Sequence, residues 1–130
     1  MAKKKEVKTA IVGLGKVGST FLKKLLEKER QGIKVICVAE QTQDTPGIKL
    51  AKDKGIKIYN SPEDLLSPGE ELDIIFDLTG NPNARKALRS GLARTGNLHT
   101  VIAPEVVAYL VWDLIAQGEE FPESGAKRGY

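Results

Sequence analysis

The chain has 130 residues, about the size of one domain, and its 41% hydrophobic and 28% charged residues are typical of a soluble globular protein. The net charge of +3 comes largely from Lys3, Lys4, Lys5 and Lys8. Because no aromatic residue lies between these lysines to stack on a base, we expect a solvated terminus and no nucleic-acid partner. The single cysteine, Cys37, excludes a disulfide framework. No apolar run is long enough for a signal peptide or a membrane span, so we expect a cytoplasmic protein.

The first half of the chain alternates between strand and helix patterns. The β-branched run at residues 7–12 ends at a glycine and predicts a buried strand. Apolar residues recur on one helical face over residues 16–30, which predicts an amphipathic helix. Residues 33–39 then predict a second strand, 47–54 a short helix and 56–59 a third strand.

The same alternation continues in the second half. Ser61 is followed by a proline and two acids, which is the composition of a helix start. Residues 72–78 form the most apolar strand candidate, and residues 81–93 predict a helix that again begins with a capping residue and a proline. Residues 98–103 predict a fifth strand, and 104–118 predict the last helix.

Strands that alternate with helices predict a parallel sheet, because parallel neighbours need crossover connections and these are right-handed. The fold class is therefore α/β: a doubly wound, mainly parallel five-stranded sheet in the order 3-2-1-4-5, with helices on both faces. We expect residues 1–118 to form this single domain. Residues 119–130 are expected to be a tail without a core of its own.

A glycine-rich motif joins the first strand to the first helix, and its sequence is Gly13-Leu14-Gly15-Lys16-Val17-Gly18. In this context a G-x-G-x-x-G motif is typical of Rossmann-type dinucleotide-binding domains. The first glycine makes the tight turn, the second lets the backbone approach the pyrophosphate, and the third lets helix and strand pack closely. The helix N-terminus adds N–H groups and a partial positive charge. We interpret Gly13, Gly15, Lys16, Val17 and Gly18 as cofactor-binding residues; the alternative is a glycine turn that binds nothing.

An acidic residue ends the second strand. Glu40 lies 22 positions beyond Gly18, near the spacing of about 20 that this fingerprint has. Its carboxylate can accept hydrogen bonds from the adenosine ribose and would repel a 2′-phosphate, which predicts NAD in preference to NADP as the cofactor. The alternative is an exposed glutamate at a strand end.

Polar residues follow the fourth strand, next to the first strand in the predicted order. Ligands of open α/β sheets lie outside the carboxyl ends of such strands, so Thr79, Gly80 and Asn81 are further candidates for cofactor contacts. Asn81 and Thr79 are explained equally well as an N-cap and a turn residue. Asp77 lies within the strand and must find hydrogen-bond partners if it is buried. His99, the one histidine, is predicted at the opposite end of the sheet, and we interpret it as a surface or packing residue.

From Val7 to Ala116 the chain resembles the nucleotide-binding domains of the homoserine dehydrogenase and glucose-fructose-type oxidoreductase group. The matching stretches are the glycine loop, Gly55 to Tyr59 with the following Pro62 to Leu66, Asp73 to Pro82, and Ala87-Leu88. The resemblance implies a Rossmann fold and a nicotinamide dinucleotide. At the end of the fifth strand the chain has Ile102-Ala103-Pro104, where the glucose-fructose-type enzymes have Glu-Lys-Pro with a lysine that assists catalysis. A second resemblance is to the nucleotide-sensing domains of potassium transport systems, which usually have Gly-Asp where this chain has Tyr59-Asn60.

Two functions follow from these patterns. The first is a non-catalytic module that binds NAD or NADH and reports on it, which the missing lysine and the missing substrate domain favour. The second is a dehydrogenase whose substrate site is completed by another chain.

The last helix is apolar on nearly every side. We expect it to pack on the sheet through Val106, Val107, Leu110, Val111, Leu114 and Ile115. Tyr109 and Trp112, three residues apart on the remaining arc, are then available as anchors for a homodimer or a protein partner. The alternative is that the tail, with Phe121 and Pro122, folds back over them.

Overall fold

A computed structural model describes residues 5–29 and 32–122. The strands are β1 (Val7–Val12), β2 (Ile33–Ala39), β3 (Lys57–Tyr59), β4 (Ile74–Asp77) and β5 (Val101–Pro104). The helices are α1 (Lys16–Glu27), α2 (Pro46–Asp53), α3 (Pro62–Leu65), α4 (Pro82–Arg94) and α5 (Glu105–Ile115), with a 3-10 turn at Gly69–Glu71. None of the helices in these ranges has the length and apolar character needed to cross a membrane.

The five strands form one parallel sheet in the order β3-β2-β1-β4-β5, which confirms the predicted fold class and strand order. The register aligns the carboxyl ends of the strands in one row. Val12 pairs with Ala39 on one side and with Asp77 on the other, and Tyr59 and Pro104 extend the row outwards. The loops that follow these residues therefore meet at a single edge of the sheet.

Helices cover both faces of the sheet, and each face has its own hydrophobic core. On one face α1, α2 and α5 pack over the sheet, where Phe21 of α1 meets Phe76 of β4 edge-on at 4.8 Å between ring centroids. On the other face α3 and α4 bury Leu65 and Leu88 against the strands. Burial on both faces explains why the strands are continuous apolar runs without polar alternation.

The helix starts that were predicted from capping residues are confirmed. The Ser61 hydroxyl accepts a hydrogen bond from the Asp64 N–H at 3.1 Å, and the Asn81 side chain accepts one from the Asn83 N–H at 2.9 Å. A further cap was missed, because Thr45 accepts from the Ile48 N–H at 3.1 Å and starts α2 one residue earlier than predicted. The first helix ends at Glu27, and residue 30, its predicted end, lies outside the described residues.

The prediction of a fifth strand over residues 98–103 was wrong at its start. The Asn97 side chain accepts hydrogen bonds from the backbone N–H groups of His99 and Thr100, at 2.9 and 3.0 Å. Together these bonds close a turn over residues 97–100. β5 therefore begins at Val101 and runs to Pro104. β4 is likewise shorter than its apolar run and spans Ile74–Asp77.

The prediction of which face of the last helix packs on the sheet was wrong in part. Val107, Val111 and Ile115 pack against the core as expected, but Val106 is 59% exposed. The apolar residues of α5 with the least exposure are Ala108 and Trp112, with Ala116 just beyond the helix. Leu110 and Leu114 are instead 62% and 70% exposed. Two small alanines let the helix axis approach the sheet and leave room for the large indole ring between them. A helix that is apolar on nearly every side carries no pattern that selects one face.

Residues 119–122 fold back over α5. Phe121 stacks on Trp112 with 4.6 Å between centroids and an interplanar angle of 10°, and it meets Tyr109 edge-on at 4.9 Å. The Trp112 indole N–H donates to the Glu119 carbonyl at 2.7 Å, and the Glu119 carboxylate pairs with Lys24 of α1 at 2.7 Å. Tyr109 and Trp112, which were expected to contact a partner, are therefore covered by residues of the same chain. The rest of the predicted tail, residues 123–130, and the lysines at 3 and 4 lie outside the described residues.

Candidate functional site

The glycine loop lies at the carboxyl edge of the sheet, between β1 and α1. Gly13 has a φ of +93°, a conformation that side chains rarely adopt, and its N–H donates to the Ala39 carbonyl of β2 at 2.8 Å. A Cβ atom at this position would lie 3.0 Å from both the backbone nitrogen and the methyl group of Thr79. Gly13 is thus required by the turn and by the close approach of the loop after β4.

The other two glycines differ in what surrounds them. A Cβ on Gly18 would lie 1.7 Å from the Gly13 carbonyl oxygen, so only glycine lets α1 pack this closely against the loop. A Cβ on Gly15 would meet nothing within 4 Å, and Gly15 is the exposed N-cap of α1. This geometry is what the motif predicts: the packing requires Gly13 and Gly18, and Gly15 leaves open space at the N-terminus of α1.

Glu40 connects the glycine loop to the loop after β2. One carboxylate oxygen accepts a hydrogen bond from the Leu14 N–H at 2.5 Å, and the other accepts from the Thr42 N–H at 2.9 Å. Each carboxylate oxygen has a second lone pair and can accept another donor. The half-buried carboxylate therefore fixes the loop and still presents acceptor capacity to the cleft.

A chain of hydrogen bonds holds the loop after β4. The Thr79 hydroxyl donates to the buried carboxylate of Asp77 at 2.7 Å and accepts from the Asn81 N–H at 3.0 Å. Between them Gly80 takes a positive φ of +67°. The hydroxyl proton of Thr79 and the side-chain oxygen of Asn81 are thus both used to shape the loop and to cap α4. Asp77 finds the partners that its burial requires.

These loops enclose a cleft of about 370 Å³ at the edge of the sheet, between the ends of β1 and β4. In the order 3-2-1-4-5 this is the point where the strand order reverses, the usual ligand site of open α/β sheets. Its volume lies within the range of about 300–1,000 Å³ for small-molecule sites. The lining residues are Val12, Gly13, Gly15, Lys16, Val17, Ala39, Glu40, Gln41, Thr42, Asn60, Pro62, Leu78, Thr79, Asn81 and Ala84.

The cleft brings together seven of the nine residues predicted for cofactor binding. Gly18 and Gly80 are not among the lining residues; the first packs α1 against the loop and the second shapes the turn after β4. The sequence reasoning missed Gln41, Thr42 and Asn60 as lining residues. The signal that could have found them is the strand order, which places the carboxyl ends of β2 and β3 beside each other.

No protein-family model matches the chain, and no curated protein matches it in sequence. Among solved structures, homoserine dehydrogenase from S. aureus at pH 7.0 aligns with 88% of this chain at 20% identity and a TM-score of 0.58. A Rex-family repressor, RSP, aligns with 85% of this chain and 59% of its own at 15% identity and a TM-score of 0.52. Myo-inositol 2-dehydrogenase from Lactobacillus plantarum aligns with 88% of this chain and 43% of its own at 17% identity and a TM-score of 0.49.

The chain has a Rossmann fold. The predicted resemblance to homoserine dehydrogenase is confirmed at the level of the fold, and the chain spans about a third, 31%, of the matched homoserine dehydrogenase.

The charges around the cleft are arranged asymmetrically. Lys16, at the N-terminus of α1, adds its ammonium group to the partial positive charge that the first N–H groups of a helix carry. Glu40 supplies negative charge at the end of β2. Positive charge therefore lies beside the glycine loop, and a carboxylate acceptor lies one strand away.

The remaining titratable candidates lie away from the cleft. His99 is exposed at the amino edge of the sheet, with its Nε2 atom 2.6 Å from a carboxylate oxygen of Asp73. Cys37 is buried in β2, and burial raises the pKa of its thiol to about 12, which leaves it protonated and unreactive. Within residues 5–29 and 32–122, no group of three or more His, Cys, Asp or Glu side chains could hold a metal ion.

Proposed function

We propose that the chain binds a nicotinamide dinucleotide in this cleft and acts as a non-catalytic module that senses the dinucleotide. The observation that carries the proposal is the open space at Gly15. It lies at the N-terminus of α1, between two glycines whose missing side chains the packing requires. A pyrophosphate fits such a cradle, because the backbone can approach it and the helix N-terminus favours its charge. Lys16 would add a charge-assisted contact to the same group.

We propose further that NAD binds more tightly than NADP. The Glu40 carboxylate can accept hydrogen bonds from the adenosine ribose hydroxyls while it holds Leu14 and Thr42. The neighbouring residues Gln41 and Thr42 are neutral, so they offer no cation to pair with a 2′-phosphate. A charge-assisted hydrogen bond contributes about 1.5–3 kcal/mol. This corresponds to roughly a ten- to hundredfold preference for NAD.

The β4 side of the cleft favours binding over catalysis. Its lining residues Leu78 and Ala84 are apolar, and the hydroxyl of Thr79 is committed to Asp77. Neither apolar residue offers a general acid or base for hydride transfer. The second candidate function is a dehydrogenase whose substrate site another chain completes. The structural neighbours include one protein named as a dehydrogenase and one named as a repressor.

Isothermal titration calorimetry with NAD, NADH and NADP tests the proposal directly. We expect one NAD or NADH per chain and weaker binding of NADP. Gly15→Val fills the open space and should abolish binding, while the far-UV circular dichroism stays unchanged. If none of the three dinucleotides bound, or if the Gly15 variant bound normally, the proposed site would be wrong.

Glu40→Gln tests the basis of the NAD preference. The neutral amide keeps the shape of the side chain but loses its charge, so the NAD affinity should fall and the ratio between NAD and NADP should approach one. Asp44→Asn is the matched control, since this exposed acid on the same loop is not among the cleft residues. The control should keep the wild-type preference. Equal preferences in wild type and Glu40→Gln would remove Glu40 from its proposed role.

Turnover assays distinguish the two candidate functions. The purified chain should not oxidise NADH with small carbonyl acids such as aspartate semialdehyde. Robust activity of the isolated chain would favour the dehydrogenase and contradict the sensing module.

A further inference from the structure

Within residues 5–29 and 32–122, no element covers the apolar edge of the sheet that β5 and α5 form. β5 is the last strand in the order β3-β2-β1-β4-β5 and pairs with β4 on one side. Val106, Leu110 and Leu114 of α5 are 59%, 62% and 70% exposed and lie four residues apart, so they form one ridge along the helix, here called the α5 ridge. Val101 of β5 is 58% exposed and faces the same side of the sheet as the buried Ala103.

The backbone of β5 also presents hydrogen-bonding groups at this edge. The Val101 N–H donates to the Asp73 carbonyl at 3.0 Å and therefore points towards β4. Because backbone groups alternate along a strand, the N–H and C=O groups of Ile102 point the other way, towards the open side. An exposed strand edge of this kind is a ready template for pairing with another strand.

We propose that a second copy of this chain covers the edge. In the dimer, β5 pairs antiparallel with β5 of the other copy, centred on Ile102, and the two α5 ridges pack against each other. A two-fold axis perpendicular to the sheet brings Ile102 opposite its own counterpart, where two residues can exchange both N–H···O bonds. The same axis keeps both α5 helices on one face of the continuous sheet, where the two exposed ridges can pack against each other.

The size and charge of the surface fit this occupant. Val101 and the α5 ridge together expose four large apolar side chains, each more than half accessible, and the largest apolar patches on monomers measure about 300–600 Å². A stable interface buries about 800 Å² per partner, with an apolar core inside a polar rim, so this patch supplies such a core and the β5 backbone with its flanking residues supplies the rest. Asp113 is the one charged side chain that α5 exposes, because Glu105 is buried. A surface with so few charges can pack against a second copy of itself without bringing many like charges together.

The two-fold axis reverses the strand direction between copies. The two clefts therefore lie at opposite edges of a ten-stranded sheet, and each is lined by residues of one copy. Dimerisation and dinucleotide binding can consequently be measured separately, and one can fail without the other.

Sedimentation velocity and equilibrium over a micromolar concentration series test the proposal. The wild type should sediment at twice the chain mass of 14.1 kDa. Leu110→Glu places a carboxylate in the middle of both ridges, and burying two like charges there should weaken the dimer at least about a hundredfold. Val7→Glu is the matched control, since Val7 is an exposed apolar residue at the start of β1, in the middle of the sheet. The control should remain a dimer.

Ile102→Pro tests the strand pairing separately. It removes the outward N–H from each copy but leaves the Val101 bond to β4 intact, so this variant should keep its circular dichroism and lose dimer affinity. A wild type that stays monomeric at about 100 micromolar, a concentration at which complexes with a micromolar Kd form, would overturn the proposal. So would a Leu110→Glu variant that stays dimeric, or a Val7→Glu variant that dissociates as readily.

Discussion

The contact between Gly18 and Gly13 makes a quantitative prediction about stability. A Cβ at Gly18 would lie 1.7 Å from the Gly13 carbonyl oxygen, and this obstacle is backbone, so either the loop or α1 must move. Overpacking of this kind costs about 1–3 kcal/mol, and we take the upper value because no side chain can rotate away. Alanine recovers about 1 kcal/mol through its better helix propensity. Gly18→Ala should therefore destabilise the fold by about 2 kcal/mol, which lowers the melting temperature of a chain this size by about 7 °C.

Gly91→Ala is the matched control, since Gly91 is also an interior helix residue, in α4. A Cβ there would lie 2.2 Å from the Leu66 Cδ1 atom, which is the end of a side chain that can rotate. The helix-propensity gain and the repacking cost should nearly cancel, so the melting temperature should stay within about 3 °C of the wild type. Differential scanning calorimetry or thermal circular dichroism measures both variants. If Gly18→Ala melted at or above the temperature of Gly91→Ala, the close packing of α1 on the loop would be refuted.

Three further predictions concern residues outside the cleft. The Cys37 thiol, whose pKa burial raises to about 12, should resist alkylation at pH 8 in the native protein and react once denaturant is added. Phe121→Ala should lower the free energy of unfolding by about 2 kcal/mol and shift the emission of Trp112, the one tryptophan, to longer wavelength, because its stacked cover is lost. Asp73 accepts hydrogen bonds from the Lys8 N–H and from His99, and these bonds lower the pKa of its carboxyl from the ordinary value. The lowered pKa stabilises the fold at pH values above the pKa of the unfolded state, and this stabilisation is lost as the pH falls through the lowered pKa. The free energy of unfolding of Asp73→Asn should therefore depend less on pH than that of the wild type below about pH 4.

Much of the candidate site followed from residues that are close in sequence. The three glycines of the loop, the caps at Ser61 and Asn81, and the alternation of strands and helices each depend on local backbone geometry. Right-handed crossovers then fix which strand ends become neighbours. This is why the sequence alone predicts the positions of Gly13, Gly15 and Glu40 at one edge of the sheet.

The contacts within the site depend on long-range approach. The Glu40 carboxylate accepts a hydrogen bond from the Leu14 N–H, 26 positions away. Nothing in the local sequence shows that this carboxylate fixes the glycine loop. Thr79 lies against Gly13 because the register of β1 and β4 places their ends side by side. Asn60 lines the cleft for the same reason, through the pairing of β2 with β3.

The sequence by itself determined the order of the elements, the parallel sheet and the glycine loop, because hydrophobic periodicity, capping and glycine conformation act over a few residues. Only the tertiary structure decided how α5 faces the sheet and what Tyr109 and Trp112 contact. Apolar side chains surround that helix, so its own pattern selects no face. The orientation of α5 is set instead by two alanines that permit close approach and by Phe121, which stacks on the indole of Trp112. These packing interactions exist only once distant parts of the chain have come together.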